Sequence, residues 1–235
     1  MVEHVLIIDT ETTALETIEG QVVEVAAILY SIKNQTIIQQ VSTLLPAENN
    51  PAESINRIST ASLEEITIEL ALLGINMILE MAKMAEYVIA HNAEFDKKWF
   101  GLEKNSQVIL PILLDIKGQP LPWLCTMTDF RFPKQTRPRQ SLVDLVLAHD
   151  IGVYGNHRAL SDCQLIAALF NVMDDLQGLF AKAVRPKACY IALVSYEDRN
   201  LAKEAGFHWV PDTKTWQIIM AMDDAKFLPF PVKLG

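Results

Sequence analysis

The chain has 235 residues, half of them hydrophobic, so it can bury one sizeable core and a small second one. Its formal net charge of −9 is the wrong sign for a protein that binds nucleic acid through a broad basic face. Clustered carboxylates that hold divalent cations fit this acidity, because bound metal reverses the local field where a phosphate sits. Composition therefore disfavours a basic surface and leaves a metal site open.

Cysteine usage and hydropathy argue against three further classes of protein. Cys125, Cys163 and Cys189 are widely spaced and form no C-x-x-C pair, which predicts neither a disulfide framework nor a structural zinc site. No stretch approaches the roughly 18 apolar residues of a membrane span, and the N-terminus lacks a targeting segment. We therefore expect a soluble cytoplasmic protein in a reducing compartment, without a membrane partner.

The first half of the chain predicts strands followed by a helix. An apolar run ends in Asp9, and two β-rich stretches are separated by a turn at Lys33 and Asn34. The three antiparallel strands are predicted at 5–8, 22–30 and 35–45. A helical spacing of apolar residues then runs over 63–86, and a short buried strand is predicted at 88–90.

The second half predicts mainly helices on this sheet. Five prolines interrupt 110–140, which favours loop with one short strand at 123–127. Ser141 is a predicted cap for the helix that follows it, and another helix is predicted over 162–176. Strands followed by helices indicate an α/β layered fold.

A change in charge marks a domain boundary at Arg185-Pro186. Residues up to 180 carry 12 basic and 23 acidic side chains, whereas the remainder carries 8 basic and 6 acidic ones. We therefore predict one domain over 1–180 and a small α+β module over 186–235.

Three segments of the first domain place carboxylates where they could share a cation. Asp9 and Glu11 are two residues apart, so on a strand both point to one face. Asp96 lies one turn into a helix predicted to begin after His91. Asp162 follows His157 by five residues, and a histidine of ordinary pKa can accept a proton from water at neutral pH.

In order and spacing, these segments resemble the three motifs of the DnaQ-like DEDDh exonucleases. The matching segments are Asp9-Thr10-Glu11-Thr12-Thr13, His91-Asn92-Ala93-Glu94-Phe95-Asp96 and His157-Arg158-Ala159-Leu160-Ser161-Asp162, supported by Val23-Glu24-Val25-Ala26 and Ser141-Leu142. The resemblance covers about residues 4–175. The chain differs from the family at Ala14, where relatives usually carry Gly. It also differs at Ile55-Asn56-Arg57-Ile58-Ser59, where relatives usually carry Ile-His-Gly-Ile-Thr.

The resemblance implies a ribonuclease H-like fold, a mixed sheet flanked by helices. It also implies a 3'-5' exonuclease that releases nucleoside 5'-monophosphates. It implies that two Mg²⁺ or Mn²⁺ ions are held by Asp9, Glu11, Asp96 and Asp162, with His157 as the general base. Oxygen ligands suit such hard cations. The expected contacts to the terminal nucleotide are Thr10, Thr12, Leu15, Asn92 and Phe95. For Leu15 and Phe95, plain core packing is an equally good interpretation.

The expected partners are single-stranded 3' ends of DNA or RNA, and a DNA polymerase or another replication or repair protein. Proofreading, DNA repair and RNA trimming stay open, since the metal chemistry is common to all three. A different class of function is a nucleic-acid-binding or polymerase-associated accessory subunit with an incidental nuclease centre.

The tail predicts a strand, a helix and a hairpin. The strand covers 190–196, Ser195 and Asp198 suit the start of a helix closed by Gly206, and the hairpin joins 207–210 to 214–220. Trp209 and Trp216 are explained by packing in a small core. Alternatively, these aromatics and three cations hold the strand upstream of the cut. The cations are Arg199, Lys203 and Lys214.

Overall fold

The structure is a computed structural model that describes residues 1–102, 107–137, 139–154 and 157–235. The strands are β1 (His4–Thr12), β2 (Val22–Ser31), β3 (Thr36–Leu44), β4 (Tyr87–Ala90), β5 (Trp123–Cys125), β6 (Lys187–Ala192), β7 (His208–Val210), β8 (Thr215–Ala221) and β9 (Val232–Leu234). The helices are α1 (Glu53–Asn56), α2 (Thr60–Glu64), α3 (Ile68–Ala82), α4 (Ala93–Lys97), α5 (Leu142–Ala148), α6 (Ala159–Asn171), α7 (Leu176–Ala183) and α8 (Arg199–Glu204).

The larger sheet is mixed and has the strand order β3-β2-β1-β4-β5. The first three strands are antiparallel, and β4 and β5 continue the sheet parallel to β1. The turn between β2 and β3 contains Lys33 and Asn34, as predicted. This mixed α/β arrangement confirms the predicted fold class.

Both faces of β1 are buried, which explains its continuous apolar run. Val5 and Ile7 pack into a core with helices α5, α6 and α7, while Leu6 and Ile8 pack into a second core with α3. Successive side chains of a strand point to opposite faces, so one strand serves both layers. Burial on both faces therefore holds β1 rigidly, and with it the polar residues at its C-terminal end.

Several predicted boundaries were wrong, because side-chain caps divide the helical patterns. The pattern over 63–86 is two helices, and Thr67 begins α3 by accepting a hydrogen bond from the Leu70 amide at 3.2 Å. The helix predicted over 162–176 begins earlier, at Ala159, and ends at Asn171. Asp175 then caps α7 through the Gly178 amide at 2.8 Å. Such local caps compete with helix continuation.

The C-terminal module is a four-stranded sheet of order β7-β8-β6-β9 with its own apolar core. Its hairpin β7–β8 confirms the prediction, whereas its first strand lies at 187–192 rather than 190–196, and β9 was not predicted. Phe207 and Phe230 meet in the core at 5.5 Å between ring centroids. Trp216 packs against this core, but Trp209 is 47% exposed. Core packing thus explains one tryptophan only.

None of the helices in the described ranges is long and apolar enough to cross a membrane.

Candidate active site

Three carboxylates converge near the end of β1. Asp9 and Glu11 share one face of the strand, and Asp162 approaches them from the first turn of α6. One carboxylate oxygen from each of the three residues lies within 4.8 Å of the others. The strand period of two residues that predicted the first pair is therefore confirmed by the geometry.

Asp96 joins the site from the neighbouring strand connection. Strands β1 and β4 are parallel, so their carboxyl ends lie at the same edge, where α4 follows β4. The Oδ1 atom of Asp96 accepts hydrogen bonds from the Thr10 amide at 3.0 Å and from Thr10 Oγ1 at 2.8 Å. Thr10 therefore fixes the buried Asp96 carboxylate beside Asp9, while Asp96 stays outside the three-carboxylate group.

His157 lies beside Asp162 and is exposed to solvent. Its backbone has a left-handed φ of 60°, and its amide forms a hydrogen bond with the Asp162 carboxylate. His91, the other histidine in the predicted motifs, differs in its surroundings. Burial lowers the pKa of His91 to about 4, and its Nδ1 lies 2.8 Å from Thr126 Oγ1. Of these two histidines, only His157 is placed to exchange a proton with water.

Glu24 on β2 holds the start of α6, a role that the sequence did not reveal. Its buried carboxylate forms a two-pronged ion pair with Arg158 at 2.9 and 3.0 Å. It also accepts hydrogen bonds from the Ala159 amide at 3.1 Å and from Ser42 Oγ at 2.7 Å. A carboxylate at a helix N-terminus satisfies a free amide and interacts favourably with the helix dipole. Glu24 thus anchors the segment that carries His157 and Asp162.

Burial, with a contribution from neighbouring acids, raises the pKa of the four candidate metal ligands. Burial, followed by Asp96 and Asp162, raises the pKa of Asp9 well above its ordinary value. Burial and the neighbouring acids raise the pKa of Glu11 to about 8. Burial raises the pKa of Asp96 to about 7, although the Thr10 hydrogen bonds oppose the rise. Burial also raises the pKa of Asp162, against the effect of His157.

This donor set fits a divalent metal ion. The crowded groups are all carboxylates, the ligands preferred by hard cations such as Mg²⁺ and Mn²⁺. Arg158, whose charge lowers the pKa of Glu11, is already paired with Glu24. A bound cation would stabilise the charged form of the four acids, against the burial and the repulsion that raise their pKa.

The five predicted nucleotide contacts fall into three groups. Thr10 and Thr12 are buried, and their hydroxyls bond to Asp96 and to the Ala14 carbonyl respectively. Leu15 is 75% exposed, so core packing is the wrong interpretation for it. Phe95 is half-buried against Trp99, at 6.2 Å between ring centroids, so core packing accounts for part of its surface. Asn92 is half-buried in the left-handed region before α4, with φ of 69°.

Comparison with known proteins finds an exonuclease domain in the larger part of the chain. The family model described as "Exonuclease" matches residues 6–170, and a domain of unknown function, DUF8626, matches residues 188–234. DNA polymerase III subunit epsilon of Treponema pallidum (strain Nichols) is 27% identical over 177 residues, which cover 73% of this chain and 77% of that protein.

Solved structures give the same result. Exonuclease X in complex with 5' overhanging duplex DNA is 27% identical, with a TM-score of 0.51, covering 74% of this chain and 91% of that one. The nuclease domain of 3'hExo, bound to rAMP, shares the fold at 15% identity and a TM-score of 0.52, covering 75% of this chain and 93% of that one. The chain therefore belongs to the exonuclease family, as a DnaQ-like, metal-dependent 3'-5' exonuclease that acts on nucleic acid.

Proposed function

We propose that Asp9, Glu11, Asp96 and Asp162 hold two Mg²⁺ or Mn²⁺ ions and that His157 is the general base. The observation that carries this proposal is the convergence of three carboxylates within 4.8 Å beside the buried Asp96. When bound, such ions activate a water molecule and stabilise the leaving oxygen of a phosphodiester. With His157, the set corresponds to the DEDDh arrangement.

His157 then takes a proton from the water that attacks the last phosphodiester. The new bond joins the water oxygen to phosphorus, and the bond from phosphorus to the 3'-oxygen of the preceding nucleotide breaks. The products are a nucleoside 5'-monophosphate and a strand one nucleotide shorter with a free 3'-hydroxyl. General bases of this kind contribute typically 10²–10⁴-fold to the rate.

The terminal nucleotide lies against the loop that follows β1. Leu15 offers an exposed apolar side chain there, and Phe95 offers part of a ring. Lys98 donates a hydrogen bond to the Leu15 carbonyl and lies 4.7 Å from the Phe95 ring centroid, so it ties these two contacts together. The buried Thr10 and Thr12 lie beneath this nucleotide site, and Asn92 supports the site by hydrogen bonding.

The substrate is the single-stranded 3' end of DNA, and RNA is the second candidate. The similarity to a DNA polymerase subunit and to a nuclease bound to DNA supports DNA and a replication or repair partner such as a polymerase. The catalytic domain comprises residues 1–180, and the C-terminal module comprises residues 186–235. Free thiols at all three cysteines suit a cytoplasmic, reducing compartment. The complete acidic site disfavours a silent accessory subunit.

A side-by-side digestion tests this proposal. Single-stranded DNA, duplex DNA and RNA, each labelled at the 5' end, are incubated with the protein in Mg²⁺, in Mn²⁺ and in EDTA. We expect stepwise shortening from the 3' end with release of nucleoside 5'-monophosphates, fastest on single-stranded DNA, and no reaction in EDTA. Faster degradation of RNA than of DNA would overturn the proposed substrate, and nucleoside 3'-monophosphates would overturn the mechanism.

A further inference from the structure

A groove of about 760 Å³ separates the larger sheet from the C-terminal module. One wall is formed by Asn92, Ala93, Glu94 and Lys97, at the start of α4. A second wall comes from β5 and the loop after it, over 123–131. The module closes the groove with residues of β6, β7 and β8, including His208 and Ile219.

The lining of this groove reverses the charge balance of the protein. The whole chain has 20 basic and 29 acidic residues, whereas the groove is lined by four Lys or Arg side chains and by two carboxylates. The four cations are Lys97, Arg131, Arg139 and Lys187, and the two acids are Glu94 and Asp129. An acidic protein thus concentrates basic side chains in one concave surface.

Three of these cations are available for a ligand. Lys187 is paired with Asp129 at 2.7 Å, which links the module to the larger domain. The side chains of Lys97, Arg131 and Arg139 are exposed and have no ion-pair or hydrogen-bond partner among the described residues. Unpaired cations in a concave site favour an anionic ligand with several charges.

The groove also offers surface on which nucleobases can stack. Trp123 is half-buried in its wall and lies 5.5 Å from Phe100, with a tilt of 59° between the rings. Met127 and Ile219 add apolar area, and His208 adds an exposed ring. Alternating cations and aromatic or apolar side chains are typical of surfaces that bind single-stranded nucleic acid without reading its sequence.

The position of the groove connects it to the catalytic carboxylates. Helix α4 carries Asp96 toward β1 and Lys97 toward the groove. Strand β5 lies two positions from β1 in the sheet, a separation of about 10 Å. Asn92, a proposed nucleotide contact, lines the same groove. A strand whose 3' end lies at the carboxylates can therefore continue into the groove.

We propose that this groove binds the sugar-phosphate backbone of the nucleotides upstream of the 3' terminus. The inference rests on the proposed function, because it assumes a single strand with its 3' end at the carboxylates. The proposal also gives the module a part in nucleic-acid binding. The face of the small sheet that binds is not the tryptophan-bearing face suggested by the sequence. His208 lines the groove, whereas Trp209, the next residue of β7, points to the opposite face of the small sheet. Arg199, Lys203 and Lys214 are absent from the described lining.

Binding to a single-stranded DNA of about 20 nucleotides tests the groove, since such a strand is long enough to reach it. Full-length Lys97→Gln/Arg131→Gln is compared with wild type in EDTA over a range of salt concentrations. Each lost phosphate contact lowers the slope of log affinity against log salt by about 0.7 for a single strand, so the double variant should lose about 1.4. Its affinity should fall most at low salt.

Two single variants are matched controls. Lys33→Gln removes an exposed cation from the β2–β3 turn, at the opposite end of the sheet from the carboxylates, and Lys214→Gln removes one from the module outside the groove. Both should keep the wild-type slope. An unchanged salt slope for the double variant would overturn the proposal, even if the groove were found to bind a protein partner. An equal loss of salt slope in Lys214→Gln would also overturn it.

Hydrolysis of a dinucleotide separates this proposal from the proposed function. A dinucleotide occupies the carboxylate site but is too short to fill the groove, so the double variant should cleave it at the wild-type rate. This result also shows that the variant is folded. If the wild-type protein cleaved neither the dinucleotide nor the single strand of about 20 nucleotides in Mg²⁺, the proposed function would be contradicted. If the double variant cleaved the dinucleotide normally and bound the longer strand as the wild type does, only the proposed role of the groove would be contradicted.

Discussion

The catalytic edge of the larger sheet and the C-terminal module treat charged side chains in opposite ways. At the edge, Asp9, Glu11 and Asp96 are wholly or partly buried beside one another. In the module the core is apolar, and charges such as Asp224 lie nearer the surface, paired with Arg185 at 2.7 and 2.8 Å. Burial of like charges costs stability. Because such burial is found at the catalytic edge and not in the module, it marks the edge as the site of chemistry.

The largest expected effect comes from removing a carboxylate at the edge. Asp9→Asn should abolish Mg²⁺-dependent release of mononucleotides, because Asp9 lies between the other acids. The loss should exceed the roughly 10–100-fold that follows removal of a group that merely supports a ligand. Release of nucleotides from a labelled single strand measures it. Glu19→Gln, an exposed acid in the loop after β1, is the control and should retain full activity.

Loss of the base should have the next largest effect. His157→Ala should lower kcat by about 10²–10⁴-fold while leaving metal affinity nearly unchanged, because the imidazole moves a proton and holds no metal. Single-turnover rates on a short oligonucleotide, measured over a range of pH, give the comparison. An alanine variant with the wild-type rate and the wild-type pH profile would remove His157 from the mechanism.

The ion pair behind the site should have a smaller, indirect effect. Glu24→Gln weakens the contact with Arg158 and the cap of α6, and should lower kcat by about 10–100-fold. The Mg²⁺ concentration for half-maximal activity should rise, because Asp162 is then held less firmly. A purely structural role would lower thermal stability without changing the metal requirement. Ser42→Ala, which removes only the hydroxyl contact to Glu24, should give a milder form of the same change.

The smallest effect is a dependence of stability on pH and metal. The folded-state pKa of Glu11 is raised from 4.5 to about 8, so between these values the folded protein holds a proton that the unfolded chain has released. In EDTA the stability should therefore fall as pH rises through this window. Divalent metal should raise Tm at pH 8 by about 2–4 °C for each kcal/mol of binding free energy, and much less near pH 5.

Glu11→Gln provides the matched test of this linkage. Without a titrating group at position 11, the metal-free variant should lose less stability between pH 5 and pH 8 than the wild type does. Glu19→Gln should follow the wild-type curve. If both variants followed it, the raised pKa of Glu11 would not be a source of the pH dependence.

Some of these features could be predicted from sequence because they depend on local geometry. The alternation of a strand puts Asp9 and Glu11 on one face, and Ser141 caps α5 through the Asp144 amide at 3.2 Å. Other features depend on segments far apart in the chain. The anchoring of α6 joins Glu24 to Arg158 across 134 positions, and the groove brings together residues from 92 to 219. No local pattern indicates such contacts.

The C-terminal module shows the same difference between features set by local sequence and features set by distant contacts. Its hairpin followed from turn residues between two β-rich runs, which is a local signal. Which face of that hairpin meets the larger domain depends on the register Trp209↔Trp216 and on the ion pair of Lys187 with Asp129. The tryptophans therefore suggested a binding face that the fold turns away from the groove.

We propose that four carboxylates from three separate segments form a binuclear metal centre. Crystals grown with Mn²⁺ and a nucleoside 5'-monophosphate test it most directly, through the anomalous signal of the metal. We expect two peaks whose protein ligands are Asp9, Glu11, Asp96 and Asp162, and at most one peak in Asp96→Asn. A single peak in the wild type, or metal held by other side chains, would contradict it.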